Sequence, residues 1–340
     1  MSVTLVVLEC GAATTVQDGG RRGYLRFGLS SSGPMDRLAH AAANALVGNA
    51  IDAPAIEFGL SGGRFRVEGG SVRLALAGAR CPITLDGEQI GHHRSVVLRE
   101  GAQLRIDRPR DGVFTTLALA GGIVLPPSMG SVSLHRRAAL GGLNGRPLRE
   151  GDRLALAPPP VSGEADHMLD PVAIDRDQPI RVVLGPQEGR FTASGIETLL
   201  GSIFTVSTQA DRMGYQLDGP RIKHGKMGAD IVSDGTVAGS IQVPGSGRPI
   251  VLLADRQTTG GYPKIATVVS ADLRRLAQRQ PGNPVRFASV PLEEAVRLAR
   301  ERAVEIAALP ALRAPLLDAA DRLRLANLAG NAVDAFSFEE

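Results

Sequence analysis

The stretch R-F-R-V-E-G-G-S-V-R-L-A-L-A, Arg64 to Ala77, holds two short apolar runs, Arg64 to Val67 and Val72 to Ala77, split by a pair of glycines. Each run has the length of a strand, and the glycines between them punctuate a turn. The same texture continues in both directions. Leu5 to Leu8 lies upstream; Ser95 to Leu98, Gln103 to Ile106, Phe114 to Ala120, Arg181 to Leu184, Ile203 to Ser207, Gly239 to Val243, Ile250 to Ala254 and Val285 to Ala288 follow. Strands this short and this closely spaced cannot each be followed by a crossover helix. A parallel α/β sheet is therefore excluded, and a mainly β barrel or sandwich is expected. The 41 glycines and 22 prolines among 340 residues supply the turns such a fold needs.

Helical spacing appears at few places. Met35, Ala39, Ala42, Ala43 and Leu46 recur on one face after Pro34, and Gly48 stops the run. Leu273 to Arg279 is a short second candidate. From Pro291 to Ala308 an apolar stripe of Leu292, Val296, Ala299, Ala303 and Ile306 predicts a tail helix that Pro310 and Pro315 interrupt, with a further helical pattern over Leu316 to Leu328. The proline-rich, aperiodic stretch from Pro158 to Pro179 marks a boundary. The expected organisation is a β-rich lobe over 1–160, a second β lobe over 175–290 carrying the main polar site, and a helical tail over 291–340.

Composition narrows the function. Lys plus Arg total 38 against 35 for Asp plus Glu, spread along the chain, and aromatic residues make up 4% with no Trp. Neither a basic stripe nor stacking platforms for single strands are offered, which argues against a nucleic-acid binder. No apolar run approaches the ~18 residues of a membrane span, and the opening M-S-V-T-L-V-V-L-E-C lacks a charged n-region and a cleavage site. Two cysteines, Cys10 and Cys81, make no disulfide framework or zinc module. A soluble cytoplasmic protein is expected.

Familiar catalytic signatures are missing. There is no G-x-x-x-x-G-K-[ST], no dinucleotide glycine pattern, no G-x-S-x-G and no H-E-x-x-H. Adjacent His92 and His93 would face opposite sides of a strand, so no metal site is expected. Gly225-Lys226-Met227-Gly228 superficially resembles a biotin attachment site but lacks the residues that should precede the lysine.

The polar signal concentrates in I-V-L-L-A-D-R-Q-T-T-G-G-Y-P-K-I-A-T-V-V, Ile250 to Val269, where two apolar runs flank ten polar, glycine or hinge residues. Asp255 can accept, Arg256 can fork onto a carboxylate or phosphate, and Gln257, Thr258 and Thr259 both donate and accept. Gly260 and Gly261 admit close backbone approach. Tyr262 and Lys264 add a phenol and an ammonium. Lys264 is one of only three lysines, with Lys223 and Lys226, in a chain whose other basic residues are arginine; a compact, tunable charge suits it to chemistry. Gln187 after Gly185-Pro186, Arg212 and Tyr215 in the separate stretch Q-A-D-R-M-G-Y from Gln209, and Gln242 of S-I-Q-V-P are candidates to converge on the same pocket, which would suit a small amide or carboxylate. For Arg212 the competing reading is a structural ion pair. Asp18, Arg21 and Asp36 could frame an anion site beside the first helix, and for Asp36 a structural role in that helix's first turn is the expectation.

Taken together, T-T-V-Q-D-G-G-R-R-G-Y, S-G-P-M-D-R-L-A, A-N-A-L-V-G-N, L-A-G-G, G-G-L-N-G-R-P-L-R-E-G-D, D-R-M-G-Y-Q-L-D-G-P, S-I-Q-V-P and A-D-R-Q-T-T-G-G-Y-P-K-I-A resemble the biotin-dependent carboxyltransferase or allophanate hydrolase subunit 2 family, which includes the C subunit of bacterial 5-oxoprolinase. The likeness spans roughly Val3 to Phe287; the tail after Pro291 lies outside it, and Leu134 stands where the family pattern leads one to expect Thr.

The resemblance implies two cyclophilin-like β-barrel lobes and a site shared with a partner, the B subunit of 5-oxoprolinase. With the A subunit the complex would open 5-oxo-L-proline to L-glutamate at the expense of ATP, whichever chain binds the nucleotide. On this reading Asp255 orients Arg256, Tyr262 and Gln242 hydrogen-bond the substrate, and Lys264 or Arg256 stabilises charge; Gln187, Arg212, Tyr215, Gln257, Thr258, Thr259, Gly260 and Gly261 complete the binding surface. An alternative is the carboxyltransferase component of a urea carboxylase or urea amidolyase, served by biotin carried on another chain. A third, of another class, is a non-catalytic antagonist of a kinase inhibitor.

Overall fold

The computed structural model describes residues 3–159, 166–170 and 174–316. Part of the Pro158 to Pro179 boundary and, beyond Leu316 itself, the helical pattern expected over Leu316 to Leu328 lie outside the described residues. The fold is mainly β, and the short strands expected from the sequence are present.

In the first lobe a six-stranded sheet runs in the order Arg153–Ala155, Thr4–Cys10, Gly63–Glu68, Gln103–Ile106, Ile83–Leu85, Glu88–Gln89. A five-stranded sheet runs Thr15–Gln17, Ala55–Phe58, Thr115–Leu119, Val72–Gly78, Ser95–Leu98. The two runs quoted at the outset thus enter different sheets. Phe65 and Val67 alternate with solvent-facing arginines and meet Leu74 and Leu76 of the other sheet in one core. Thr115–Leu119 is buried on both faces because helix α1 (Arg37–Leu46) covers the side away from that core. Asp36 caps α1, its Oδ1 accepting from the Ala39 N–H at 3.0 Å.

The second lobe is built on an eight-stranded sheet, ordered Pro284–Val285, Phe204–Ala210, Gly214–Asp218, Ile250–Leu252, Ser240–Gln242, Lys264–Val268, Ile180–Leu184, Phe287–Ser289, beside a two-stranded pair. Its two edge strands are separated in the chain by Arg286 alone, which brings the edges together and nearly closes a barrel. The single strand expected over Val285 to Ala288 is therefore two, split at Arg286 so that one short segment completes both edges. Helix α2 (Ala193–Gly201), capped by Thr192, is absent from the sequence expectations.

Helix α3 (Leu273–Ala277) forms where expected, and its neighbourhood joins the lobes. Gln278 is fully buried: its Oε1 accepts from the N–H groups of Val113 and Phe114 at 2.8 and 2.9 Å, while its Nε2 donates to Asp36 and to the Phe114 carbonyl. Met35, Val113 and Phe114 of the first lobe pack in the second lobe's core.

The tail helix α4 (Leu292–Leu312) corrects an expectation. It is not stopped by Pro310 but continues through it. Pro310 falls in the last turn, where the lost N–H bond is one of few, and Leu309 and Ile306 are held in the first lobe's core. Ala295 and Leu298 pack against Val269 and Ala271 of the second lobe, so α4 is held against both lobes. No helix among the described residues is long and apolar enough to cross a membrane.

Candidate functional site

The residues expected to converge on one pocket fall into three groups. The first is a buried charge cluster at the lobe junction. Arg212 donates through Nε and Nη2 to Asp255 at 2.8 and 3.0 Å, through Nη1 to Glu57, and through Nη2 to the Gly33 carbonyl at 2.6 Å. Asp255 therefore orients Arg212, correcting the expectation that it orients Arg256. Neighbouring side chains on a turn diverge, and Arg212 approaches from the adjacent strand pair, where the Asp255 N–H donates to the Arg212 carbonyl. Glu57 completes the cluster from the first lobe and carries no signal in the sequence. Full burial lifts its carboxyl to about 7, against the pull of Arg212 and the Met35 N–H, and the Asp255 charge adds to the rise. Two carboxylates share one guanidinium here, which is a structural fastening. Asp36 is likewise structural, paired with Arg274 and Gln278 of the second lobe. Asp18 accepts from Ser131 and Ser133, and Arg21 donates to the carbonyls of Ser128, Ser131 and Ser133. Tyr215 is buried in the second core with its hydroxyl donated to the Ala277 carbonyl at 2.8 Å, so the phenol faces no open pocket.

The second group is a half-open polar site. Lys264 is 2% exposed, and its ammonium meets Asp234 Oδ2 at 2.7 Å. Asp234 itself is half-exposed. Lys264 and the amide donors of Gln187 and Gly235 hold the Asp234 carboxyl down at about 2. Gln187 is locked in place: its Oε1 accepts from the Lys264 N–H at 3.0 Å, and its Nε2 donates to Asp234 at 2.8 Å. Across the strand, Gln257 Nε2 donates to Gln242 Oε1 at 3.0 Å, and Gln242 Nε2 points to the Tyr262 carbonyl.

The backbone explains why these groups meet. The ladder between Ser240–Gln242 and Lys264–Val268 slips at Gln242, which pairs with Lys264 directly after Ile241 pairs with Ala266. Such a bulge re-aims side chains at a strand end. Asp234–Gly235 pairs with Thr259–Gly260, bringing the carboxylate over the lysine. A Cβ at Gly260 would lie 2.3 Å from Gln242 Nε2, so any larger residue there displaces the Gln242 amide. Thr258 and Gln257 are tied through their carbonyls to Thr236, and Gly261 accepts from the Ile231 N–H. Tyr262 is 42% exposed, and Val232, 93% exposed, follows Ile231, whose N–H donates to the Gly261 carbonyl. Asp234 is the residue the sequence reading missed; an isolated S-D-G in a loop offers no pattern beyond a turn.

Arg256 forms the third group alone. Its side chain lines a cavity of about 400 Å³ at the junction of α1, α3 and α4, to which Lys264, Asp234 and Gln187 do not contribute. Among the described residues no group of three or more His, Cys, Asp and Glu side chains could hold a metal ion, and His92 and His93 lie in a bend rather than a strand.

Residues 27–289 match the carboxyltransferase domain, subdomain A and B, model. The chain is 37% identical over 302 residues to the C subunit of 5-oxoprolinase from Escherichia coli, covering 88% of this chain and 95% of that subunit. It is also similar to the crystal structure of the Kluyveromyces lactis urea amidolyase, with TM-score 0.83 and 28% identity over 90% of this chain but only 20% of that enzyme. A crystal structure of TTHA0988 matches with TM-score 0.77 and 36% identity, over 85% of this chain and 56% of the other. Helix α4 lies beyond the matched model.

Proposed function

Because the chain belongs to the carboxyltransferase domain family, subdomain A and B, we propose that it is the C subunit of an ATP-dependent 5-oxoprolinase that opens 5-oxo-L-proline to L-glutamate with its A and B subunits. The observation that carries this reading is the match over 95% of the Escherichia coli C subunit, where the fungal amidolyase is covered over only 20%.

The lactam is an unstrained amide and resists water. Transfer of the γ-phosphoryl group of ATP to the lactam oxygen releases ADP and makes the ring carbon electrophilic. Water then adds, the C–N bond breaks with its electron pair and a proton going to nitrogen, and the γ-glutamyl phosphate left behind is hydrolysed by a second water to glutamate and phosphate. Lys264 supplies the positive charge that such an oxygen develops toward; its side chain is 2% exposed and its ammonium is paired with the half-exposed Asp234. Asp234 and Gln187 hold the ammonium in place; the Gln242–Gln257 pair and the Tyr262 hydroxyl offer the hydrogen bonds an amide requires. Tyr262 at 42% and Val232 at 93% exposed, the latter next to Ile231 whose N–H donates to the Gly261 carbonyl, suit coverage by a partner protein, which would also exclude water. Arg256, turned to the other cavity, is left out of this site.

The likeness to the fungal amidolyase favours a second reading, carboxyl transfer from biotin carried on another chain to urea or a related amide. The same ammonium and amides would then face carboxybiotin.

The test is Lys264→Met and Asp234→Asn in the assembled complex, with thermal unfolding followed in parallel. Lys264→Met is expected to lower glutamate formation ~100-fold or more. Full turnover with a correctly folded variant would overturn the assignment.

A further inference from the structure

The cavity of about 400 Å³ lined by Arg256 has no part in the lysine site and has the composition of a binding site. Its walls are apolar where α1 begins, at Pro34, Met35 and Leu38, and where Leu253, Leu273 and Ile306 close it. Two buried polar side chains on these walls carry atoms without a hydrogen-bond partner among the described residues. Arg256 is 6% exposed; its Nε has no hydrogen-bond acceptor, its one contact is Nη1 to the Leu253 carbonyl at 3.4 Å, and no carboxylate among the described residues pairs with it. Ser32 is 8% exposed, its hydroxyl is also without a partner, and its backbone sits at φ 53, a conformation that non-glycine residues rarely adopt.

A guanidinium in such surroundings is costly unless an anion meets it. The other charges on the cavity do not remove the need. Arg274 is held by Asp36 and Arg302 by Glu305; Arg22 and Arg37 are exposed, as is Asp52, the one carboxylate on the lining. Burial also depresses the Arg256 pKa, with no neighbouring charge opposing it.

We propose that this cavity binds a small organic anion, whose carboxylate or phosphate oxygens sit on the Arg256 guanidinium and the Ser32 hydroxyl while its carbon skeleton contacts the apolar walls. The volume suits a molecule of metabolite size. The site is closed on one side by Ala299, Arg302 and Ile306 of α4, the helix beyond the matched family model, so the tail participates in forming it. The proposal rests on the cavity and not on the lactam reading.

Isothermal titration calorimetry of the full chain, at constant ionic strength, tests it with inorganic phosphate, L-glutamate and 5-oxo-L-proline as separate probes. Saturable binding of at least one is expected, weakened about 10- to 100-fold by Arg256→Met and less by Ser32→Ala. Phosphate binding alone assigns phosphate chemistry, and binding of the two amino-acid derivatives assigns a carboxylate. Urea unfolding without ligand is the second readout: Arg256→Met is expected to raise the midpoint, because it removes an uncompensated buried charge. No saturable binding of any probe, binding unaffected by Arg256→Met, or a lowered midpoint in that variant overturns the proposal. Glutamate formation is not read, so these outcomes are separate from the fate of the oxoprolinase assignment.

Discussion

Replacing Arg212 by methionine removes the cation that fastens the two lobes. The guanidinium satisfies Asp255 twice, Glu57 once and the Gly33 carbonyl once, and the two carboxylate residues are only 4% and 1% exposed. Methionine keeps the aliphatic stem but leaves two buried carboxylates facing each other. Removing one partner of a buried pair costs about 3–5 kcal/mol, and with two carboxylates orphaned the upper part of that range, ~4–5 kcal/mol at pH 8, is expected. That is a large share of the ~5–15 kcal/mol that holds a protein folded. The loss carries a pH signature. Burial already lifts Glu57 to about 7 from 4.5 with Arg212 present, and without the cation it rises further. A carboxyl whose folded pKa lies above its unfolded one contributes stability that is complete below the unfolded value and is lost as pH rises through the folded value. The Arg212→Met penalty should therefore shrink on going from pH 8 to pH 5.5, by up to ~1.4 kcal/mol per pH unit for each proton taken up. Urea unfolding followed by far-UV circular dichroism at the two pH values measures both quantities. A penalty under ~1 kcal/mol, or one that does not change with pH, would refute a buried, charge-coupled junction.

Gln278→Ala leaves the N–H groups of Val113 and Phe114 without their acceptor in a buried seam, and should cost about 3 kcal/mol in urea unfolding; a loss below ~1 kcal/mol would show that the seam opens to water. Burial pushes the Cys81 thiol up to about 12 and raises Cys10 as well, so at pH 8 iodoacetamide should label neither rapidly in the native protein and both in urea. Peptide mass spectrometry showing fast native labelling of Cys81 would contradict its place in the core.

The strands were legible because short apolar runs between glycines have few other uses. Ser95–Leu98 and Gln103–Ile106 are found at the bounds expected from the sequence. Helix α2 was hidden because Gly195, Ser194 and Gly201 dilute its apolar spacing, and its formation depends on the Thr192 cap and on packing against the barrel edge. The passage of α4 through Pro310 is set by where Leu309 docks, a tertiary contact that local propensity does not contain. The polar loop was recognisable as a set of residue types, but not as a set of directions. Asp255, Arg256 and Gln257 are consecutive, yet one turns to Arg212, one to a cavity and one to Gln242. A turn scatters its side chains, and only the bulge at Gln242 and the crossing of Asp234–Gly235 over Thr259–Gly260 decide which of them meet Lys264.

The central claim is tested most directly by leaving out one component of the complex at a time. The purified chain and the A and B subunits of 5-oxoprolinase are combined singly, in pairs and together, and glutamate released from 5-oxo-L-proline is measured with and without ATP, beside carboxylation of urea with a biotin-carrying partner. Glutamate that appears only with ATP and only when this chain is present is the predicted result. Equal glutamate formation without this chain, or biotin-dependent carboxylation of urea with no lactam opening, would contradict it.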